Sequence, residues 1–322
     1  MTTDIGLRRL GSTDIEITPI GLGAWQFSKG RGFNGLFWSE LPDSVVCDIV
    51  RAALEGGINW FDTAEYYGAG RSERALARAL QTCEVGVGDV VVATKWWPLL
   101  RTAGSIRGTI DERLANLAPF PIDLHQVHNP MSFSSVEAEM DAMADLVEQG
   151  KIRAVGVSNF SAEKMRRAQA RLAERGLSLA SNQVKYSLLS RGVETNGVLD
   201  AARDMGITII AYSPLEMGLL TGKFHEDADR LKRRPLARRL SLSRKIEASR
   251  VVIDALREIA AAHNVTPAQV ALSWLVSHHG DTVVAIPGAS KERQAAENAG
   301  AMKIELSGDE LALLDERSRR FR

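Results

Sequence analysis

Four residue types that can run proton transfer stand at the ends of apolar runs. "INWFDTA" reaches a carboxylate at Asp62, and Tyr66 and Tyr67 follow in the next few residues. "VVVATK" ends in Lys95, and "IDLHQVHN" brings His128 to the end of a third run. Neighbouring strands lie about 4.8 Å apart, so Asp62 and Lys95, ending adjacent strands, can form a half-buried ion pair. A tyrosine leaning over that ammonium would have its pKa drawn down from about 10, because the cation stabilises the tyrosinate. A drop of about 2 to 3 units corresponds to roughly 3 to 4 kcal/mol, which one close charge supplies at reduced dielectric. Asp62 would keep Lys95 protonated, and His128 would donate a hydrogen bond to the same oxygen. The chemistry is proton delivery to an alkoxide near neutral pH. Spacing does not choose between Tyr66 and Tyr67. Taken singly, Asp62 reads equally well as a loop cap, Lys95 as a structural partner and His128 as a core histidine. The set at one rim is what favours function.

The elements that must hold this set are legible as an alternation. Eight β-branched runs read as strands: 17–25, 58–64, 90–95, 122–129, 152–159, 179–186, 207–213 and 282–288. Amphipathic stretches separate them. Residues 43–56 end in Gly56-Gly57, a C-terminal stop. Residues 134–150 open with Ser134 and Glu137 as a capping box and stop at Gly150. Residues 161–176 end at Gly176. Residues 266–280 open with Thr266, Pro267 and Gln269 in the positions of cap, first turn and capping partner. Strand starts recur roughly every 30 residues, the length of a βαβ unit. Near-continuous apolar strands with crossover helices predict a closed (β/α)₈ TIM barrel, α/β in class. No composition break divides residues 1–322, so a single domain is expected, with extra helices between strands seven and eight and at the C-terminus. In such a barrel chemistry collects at the C-terminal strand ends. Besides the four residues above, those ends carry Ser158-Asn159, Asn182-Gln183 and Tyr212-Ser213.

Bulk properties remove several classes. The chain has 322 residues with 40 Lys plus Arg against 40 Asp plus Glu, so no global charge draws it to nucleic acid or anionic lipid. Two cysteines, Cys47 and Cys83, make no disulfide framework. The start lacks the apolar core of a secretory signal, and no apolar run of about 18 residues occurs. A cytoplasmic protein without membrane partners is expected. "GLGAWQ" and "GAGRSE" lack the third glycine of a dinucleotide fingerprint. There is no H-E-x-x-H or paired C-x-x-C, so no metal site is expected. Residues 222–250 are polar and basic, read as a solvated insertion or a clamp over an anion. At a barrel mouth the pair Trp96-Trp97 can line a substrate pocket. Trp25 and Trp96, with Phe33, Phe37 and Trp38, point to a substrate of apolar or aromatic character.

At this point the residues carry a family likeness. The chain resembles the aldo-keto reductases from near its N-terminus to its C-terminal helix, through "FDTAEYYG", "GVSNF", "NQVKYSLLSR", "AYSPL" and "IPGASKERQAAEN" in order. The resemblance implies NADPH bound without the usual dinucleotide fold, and reduction of an aldehyde or ketone. It selects Tyr67 as the acid, with Asp62, Lys95 and His128 completing the catalytic set. Ser158, Asn159 and Gln183 would bind the nicotinamide carboxamide, and Tyr212 would stack on its ring. Ser213, Pro214, Leu215, Gly218, Leu219, Thr221 and Lys223 would follow the pyrophosphate. Ile286, Gly288, Ser290, Lys291, Gln294, Glu297 and Asn298 would hold the adenosine end. Gly23, Ala24 and Trp25 would lie by the nicotinamide. Trp25, Tyr67, Trp96 and His128 would make the substrate pocket. A helix over 291–300 would offer its N-terminus to phosphate, and Ser290 with Lys291 favours NADP over NAD. Two positions depart from the family pattern. Ser290 stands where related chains often have arginine. Glu216 stands where many have glycine, and its charge would be unwelcome beside a pyrophosphate. Two other functions remain for such a chain: a cofactor-binding regulatory subunit like the β subunits of potassium channels, and an aldolase-type barrel with Lys95 as the Schiff-base lysine.

Overall fold

The computed structural model describes residues 6–28, 40–233 and 236–322. The eight apolar runs become eight strands: β1 (Leu22–Gly23), β2 (Trp60–Asp62), β3 (Val91–Trp96), β4 (Leu124–Val127), β5 (Ala154–Ser158), β6 (Leu179–Lys185), β7 (Thr208–Tyr212) and β8 (Val283–Ala285). Each pairs in parallel with the next in sequence. The ring closes where the amide of Gly21 donates to the carbonyl of Ala285 at 2.8 Å and Ala285 donates to Pro19 at 2.9 Å. A further bridge joins Gly23 to Gly288. A Cβ on Gly23 would sit 2.8 Å from the carbonyl oxygen of Ile286, so this approach needs glycine. The architecture is the (β/α)₈ barrel.

Period-two alternation sorts the strand residues into two cores. Trp60, Ala93, Leu124, Ala154, Ile210 and Val284 fill the barrel interior. Leu10, Ile15 and Ile17 join them from an N-terminal hairpin, Arg8–Arg9 against Glu16–Ile17, that the sequence reading did not anticipate. Phe61, Val92, Val127, Val155 and Ile209 face outward into the layer shared with the helices. One step further along the interior face of β2, β3 and β4 come Asp62, Lys95 and Gln126, so the polar set sits as a layer directly above the apolar plug.

The surrounding helices are α1 (Asp43–Glu55), α2 (Arg71–Thr82), α3 (Gly104–Leu117), α4 (Val136–Glu148), α5 (Ala162–Ala173), α6 (Val198–Met205), α7 (Leu236–His263), α8 (Pro267–Ser277), α9 (Glu292–Gly300) and α10 (Gly308–Ser318). The Thr266–Gln269 capping box forms as expected, with Pro267 leading α8. The cap of α4 is shifted by one residue. Ser135 accepts from the amide of Ala138 at 3.2 Å, while Ser134 accepts from the amide of Ala103 at 2.9 Å and ties two loops together. The basic stretch between β7 and β8 contributes two short helices, Lys223–Glu226 and Ala228–Lys232, and the first turns of α7. Among the described residues no helix is long and apolar enough to cross a membrane.

Candidate active site

At the C-terminal rim, four side chains from four strands meet around one carboxylate. Lys95 Nζ donates to Asp62 Oδ2 and, at 2.8 Å, to the carbonyl of Thr63. The other oxygen, Asp62 Oδ1, accepts from Gln126 Nε2 at 3.1 Å and Gln183 Nε2 at 2.9 Å. All four groups are at most 2% exposed. A buried carboxylate this well supplied with donors is held in one orientation. Burial pushes the Lys95 ammonium below its ordinary pKa, and the charge and hydrogen bond of Asp62 oppose that shift.

Tyr67 leans over this pair. Lys95 Nζ lies 5.1 Å from the centre of its ring. The expected lowering of its pKa is not the net result. Burial pushes the phenol well above its ordinary value, and the Asp62 carboxylate adds to that shift. The cation does not act alone: the phenol loses water and also feels the anion that pairs with Lys95. His128 meets Tyr67 edge-on with ring centres 5.6 Å apart. Burial, with help from Lys95, holds His128 far below its usual pKa and so neutral. A neutral imidazole keeps one N–H to donate.

A cleft of about 830 Å³ runs from this rim to the start of α9. Tyr67, His128 and Asp62 line its inner end with Gly23, Ala24, Trp25, Ser158, Asn159, Gln183 and Tyr212. Ser213, Pro214, Leu215, Gly218, Thr221 and Lys223 line the middle, and the segment after β8 lines the cleft from Ile286 and Gly288, beside Gly23, out to Ser290, Lys291, Gln294, Glu297 and Asn298. Lys95 lies beneath the floor, in contact with Asp62. At the inner end Asn159 takes a left-handed backbone with φ of 60°. Its side chain accepts from the Tyr212 hydroxyl at 3.1 Å and donates to Asn129 Oδ1 at 3.0 Å. Burial, then the charges of Tyr67 and Glu216, push the Tyr212 phenol up to about 12. At the far end Lys291 is the N-cap of α9 and makes no side-chain cap bond. Gln294 Oε1 accepts from the amide and hydroxyl of Ser290 at 2.9 and 3.1 Å. Amide-binding side chains at one end, cations and a helix N-terminus at the other, fit a molecule with a carboxamide head and a phosphorylated tail.

Two expected members are elsewhere. Trp96 is fully buried and donates to Ser105 Oγ at 3.0 Å. As the residue after inward Lys95 it must face the helices, so the neighbouring Trp97 lines the cleft. Period-two counting from Lys95 would have chosen Trp97. Leu219 is also fully buried, packed in the outer core and outside the cleft lining. Phe33, Phe37 and Trp38 lie outside the described residues.

Sequence reasoning missed Gln126, which the same alternation places inward beside His128. It also missed Glu65. The Glu65 carboxylate accepts from the amide of Trp97 at 2.9 Å, and pairs with Arg101 and, at 3.0 Å, with Arg113. Trp97 in turn stacks on Tyr66 at 4.0 Å and meets His128 edge-on at 5.1 Å. Glu65 thus fixes an aromatic wall beside Tyr67. Lys185, Arg230 and Arg293 are further cations of the cleft lining.

Known proteins share this architecture. The family model described as "Aldo/keto reductase family" matches residues 19–319. An uncharacterized oxidoreductase of Mycobacterium tuberculosis is 37% identical over 312 residues, covering 95% of this chain and 91% of that protein. A chloroplastic pyridoxal reductase of Arabidopsis thaliana is 33% identical over 316 residues, covering 94% and 83%. Among solved structures, a thermostable aldo-keto reductase bound to the inhibitor epalrestat is 30% identical. It superposes with a TM-score of 0.77 over 97% of this chain and 99% of its own. An aldo-keto reductase of Klebsiella pneumoniae in complex with NADPH is 27% identical, with a TM-score of 0.74 over 96% and 94%.

Proposed function

The chain belongs to the aldo/keto reductase family, and we propose that it reduces aldehydes or ketones to alcohols with NADPH. The observation that carries this reading is Tyr67 leaning over the Lys95–Asp62 pair at the inner end of the cleft, beside neutral His128.

Ser158, Asn159 and Gln183 would hold the carboxamide of the cofactor, Tyr212 would flank its ring, and Lys223, Lys291 and Arg293 would meet its phosphates. When bound, NADPH supplies the hydride. The chain's own residues do the rest. His128, neutral, donates a hydrogen bond that orients the carbonyl oxygen. Tyr67 delivers the proton to that oxygen as negative charge develops on it. The phenol is protonated at neutral pH, the state a proton donor needs. Lys95 offsets the charge left on the phenol oxygen, and Asp62, held by Gln126 and Gln183, keeps the ammonium aimed. The aldolase reading is disfavoured by the same contact, because a lysine paired with a buried carboxylate is not the free amine that Schiff-base chemistry requires. Trp25, Trp97 and Tyr66 supply aromatic surface for the substrate, which supports planar or apolar carbonyl compounds. Since one relative is named a pyridoxal reductase, pyridoxal belongs in the substrate panel.

The test is Tyr67→Phe. It should abolish reduction of every active aldehyde while NADPH still quenches tryptophan fluorescence as in the parent. Normal turnover in that variant would eliminate the mechanism. Tight NADPH binding by the parent with no turnover across a broad carbonyl panel would favour the regulatory-subunit function instead.

A further inference from the structure

Glu216 and Lys245, on α7, are both left unused by the reductase chemistry, and the structure joins them. Glu216 follows β7 in the loop whose residues Leu215, Met217 and Gly218 line the cleft, yet Glu216 itself is not part of that lining and is 1% exposed. Lys185, at the end of β6, pairs with Glu216 Oε1 at 3.0 Å. Lys245, on α7, pairs with Oε2 at 2.9 Å. Ser187 Oγ donates to Oε1 at 3.4 Å. The backbone here is strained: Glu216 and Met217 take φ of 46° and 51°, and Gly218 continues at 89°. Two consecutive non-glycine residues in the left-handed region persist only when their surroundings fix them. The lysine clamp holds the side chain of the first of them. A second stitch runs beside it: His225 Nε2 lies 3.1 Å from the carbonyl of Ile246 and 3.0 Å from Ser249 Oγ, both on α7.

We propose that Glu216 is a positioning residue for NADPH, acting through Lys245: the carboxylate clamped by Lys185 and Lys245 holds the turn 215–218 in the shape that lines the middle of the cleft. The inference rests on the cofactor assignment made above. It gives the basic stretch a use: α7 braces the cofactor loop from behind. It also removes the conflict expected between Glu216 and a pyrophosphate. The carboxylate is buried outside the cleft lining and matched by two ammonium groups, so its charge is offset before it meets the phosphates.

Positioning and charge make opposite predictions. Were Glu216 merely an anion near the phosphates, Glu216→Gln would tighten NADPH binding. As a positioning residue it should weaken it. The experiment titrates NADPH against the parent protein, Glu216→Gln, Lys245→Met and the double variant, read by tryptophan quenching. Each single change should raise Kd about tenfold, roughly 1.4 kcal/mol. The double variant should be no worse than the poorer single, because both break one clamp. In steady state the loss should fall on KM for NADPH and not on kcat with an active aldehyde, a split that general loss of folding would not produce. Unchanged or tighter binding by Glu216→Gln overturns the inference, as does full additivity in the double variant. Lys245 is half-buried at the surface of α7, so its variant reports even where Glu216→Gln fails to fold. A parent protein that shows no NADPH binding would overturn the cofactor assignment itself, a result distinct from either.

Discussion

The two ends of the cleft are built on different principles. The inner end is a strand-borne layer. Asp62, Lys95, Gln126 and Gln183 come from β2, β3, β4 and β6, and one buried carboxylate satisfies three donors. Its geometry follows from strand register and alternation, which a sheet fixes rigidly. The middle and far end are loop-borne. There the lining comes from a left-handed turn, a helix N-terminus and cations that reach in from the two short helices after β7 and from α9. The difference teaches where sensitivity should lie. Damage to the strand layer should cost chemistry and stability together. Damage to the loops should cost affinity alone.

The sharpest way to break that contrast is at Lys95. Lys95→Met leaves Asp62 buried without its cation, and should destabilise the protein by about 3 to 5 kcal/mol in urea unfolding, as removal of one partner of a buried pair does. It should also abolish turnover. A folded, active Lys95→Met variant of parent stability would show that the strand layer is not the unit described. Next comes the clamp behind the loop, where Glu216→Gln should lose about tenfold in NADPH affinity without loss of kcat.

A comparable but separable effect is expected at the aromatic wall. Glu65→Gln keeps an acceptor for the Trp97 amide but removes the charge that Arg101 and Arg113 share. The carbonyl KM should rise about tenfold, since hydrogen bonds to charged groups contribute roughly 1.5 to 3 kcal/mol. NADPH affinity should not move. A rise in NADPH Kd instead would place Glu65 with the cofactor end.

The smallest effect concerns pH. Glu139, in the first turn of α4 beneath the loop that follows His128, accepts from Ser132 Oγ at 2.6 Å. Burial pushes its carboxyl up to about 7, opposed by that hydrogen bond and by Lys164. A carboxyl that binds its proton more tightly in the folded state stabilises it below the unfolded pKa. That contribution is lost as pH rises through the folded value. Stability in urea should therefore decline between about pH 4.5 and pH 7, and Glu139→Gln should flatten that decline. An unchanged pH profile in the variant would show that Glu139 does not carry the decline.

The strand-borne layer is also the part that the sequence displayed. Eight apolar runs, six of which carry Asp62, Lys95, His128, Ser158, Gln183 and Tyr212 near their ends, specify a rim, because alternation is local and the barrel repeats it. The one misplaced aromatic, Trp96 for Trp97, came from not applying that alternation past the strand end. Leu219 was misplaced for a different reason. The loop after β7 is a chain of irregular turns, and no period tells which residue faces the cleft. Glu65, the Glu216 clamp and the N-terminal hairpin depend on partners tens of residues away: Trp97, Arg101 and Arg113 for Glu65, Lys185 and Lys245 for Glu216, the barrel interior for Leu10 and Ile17. Long-range ion pairs leave no mark on local composition. The raised phenol pKa of Tyr67 was hidden for a similar reason, since burial cannot be read from the cation alone.

Single-turnover oxidation of protein-bound NADPH by an aromatic aldehyde, followed by the loss of reduced-nicotinamide absorbance in the parent and in Tyr67→Phe, is the most direct measurement of the central claim. Proton delivery from Tyr67 predicts that the variant binds NADPH as the parent does and transfers hydride about 10³-fold more slowly, within the range that general acid catalysis contributes. Parent-like hydride transfer in the phenylalanine variant would contradict it.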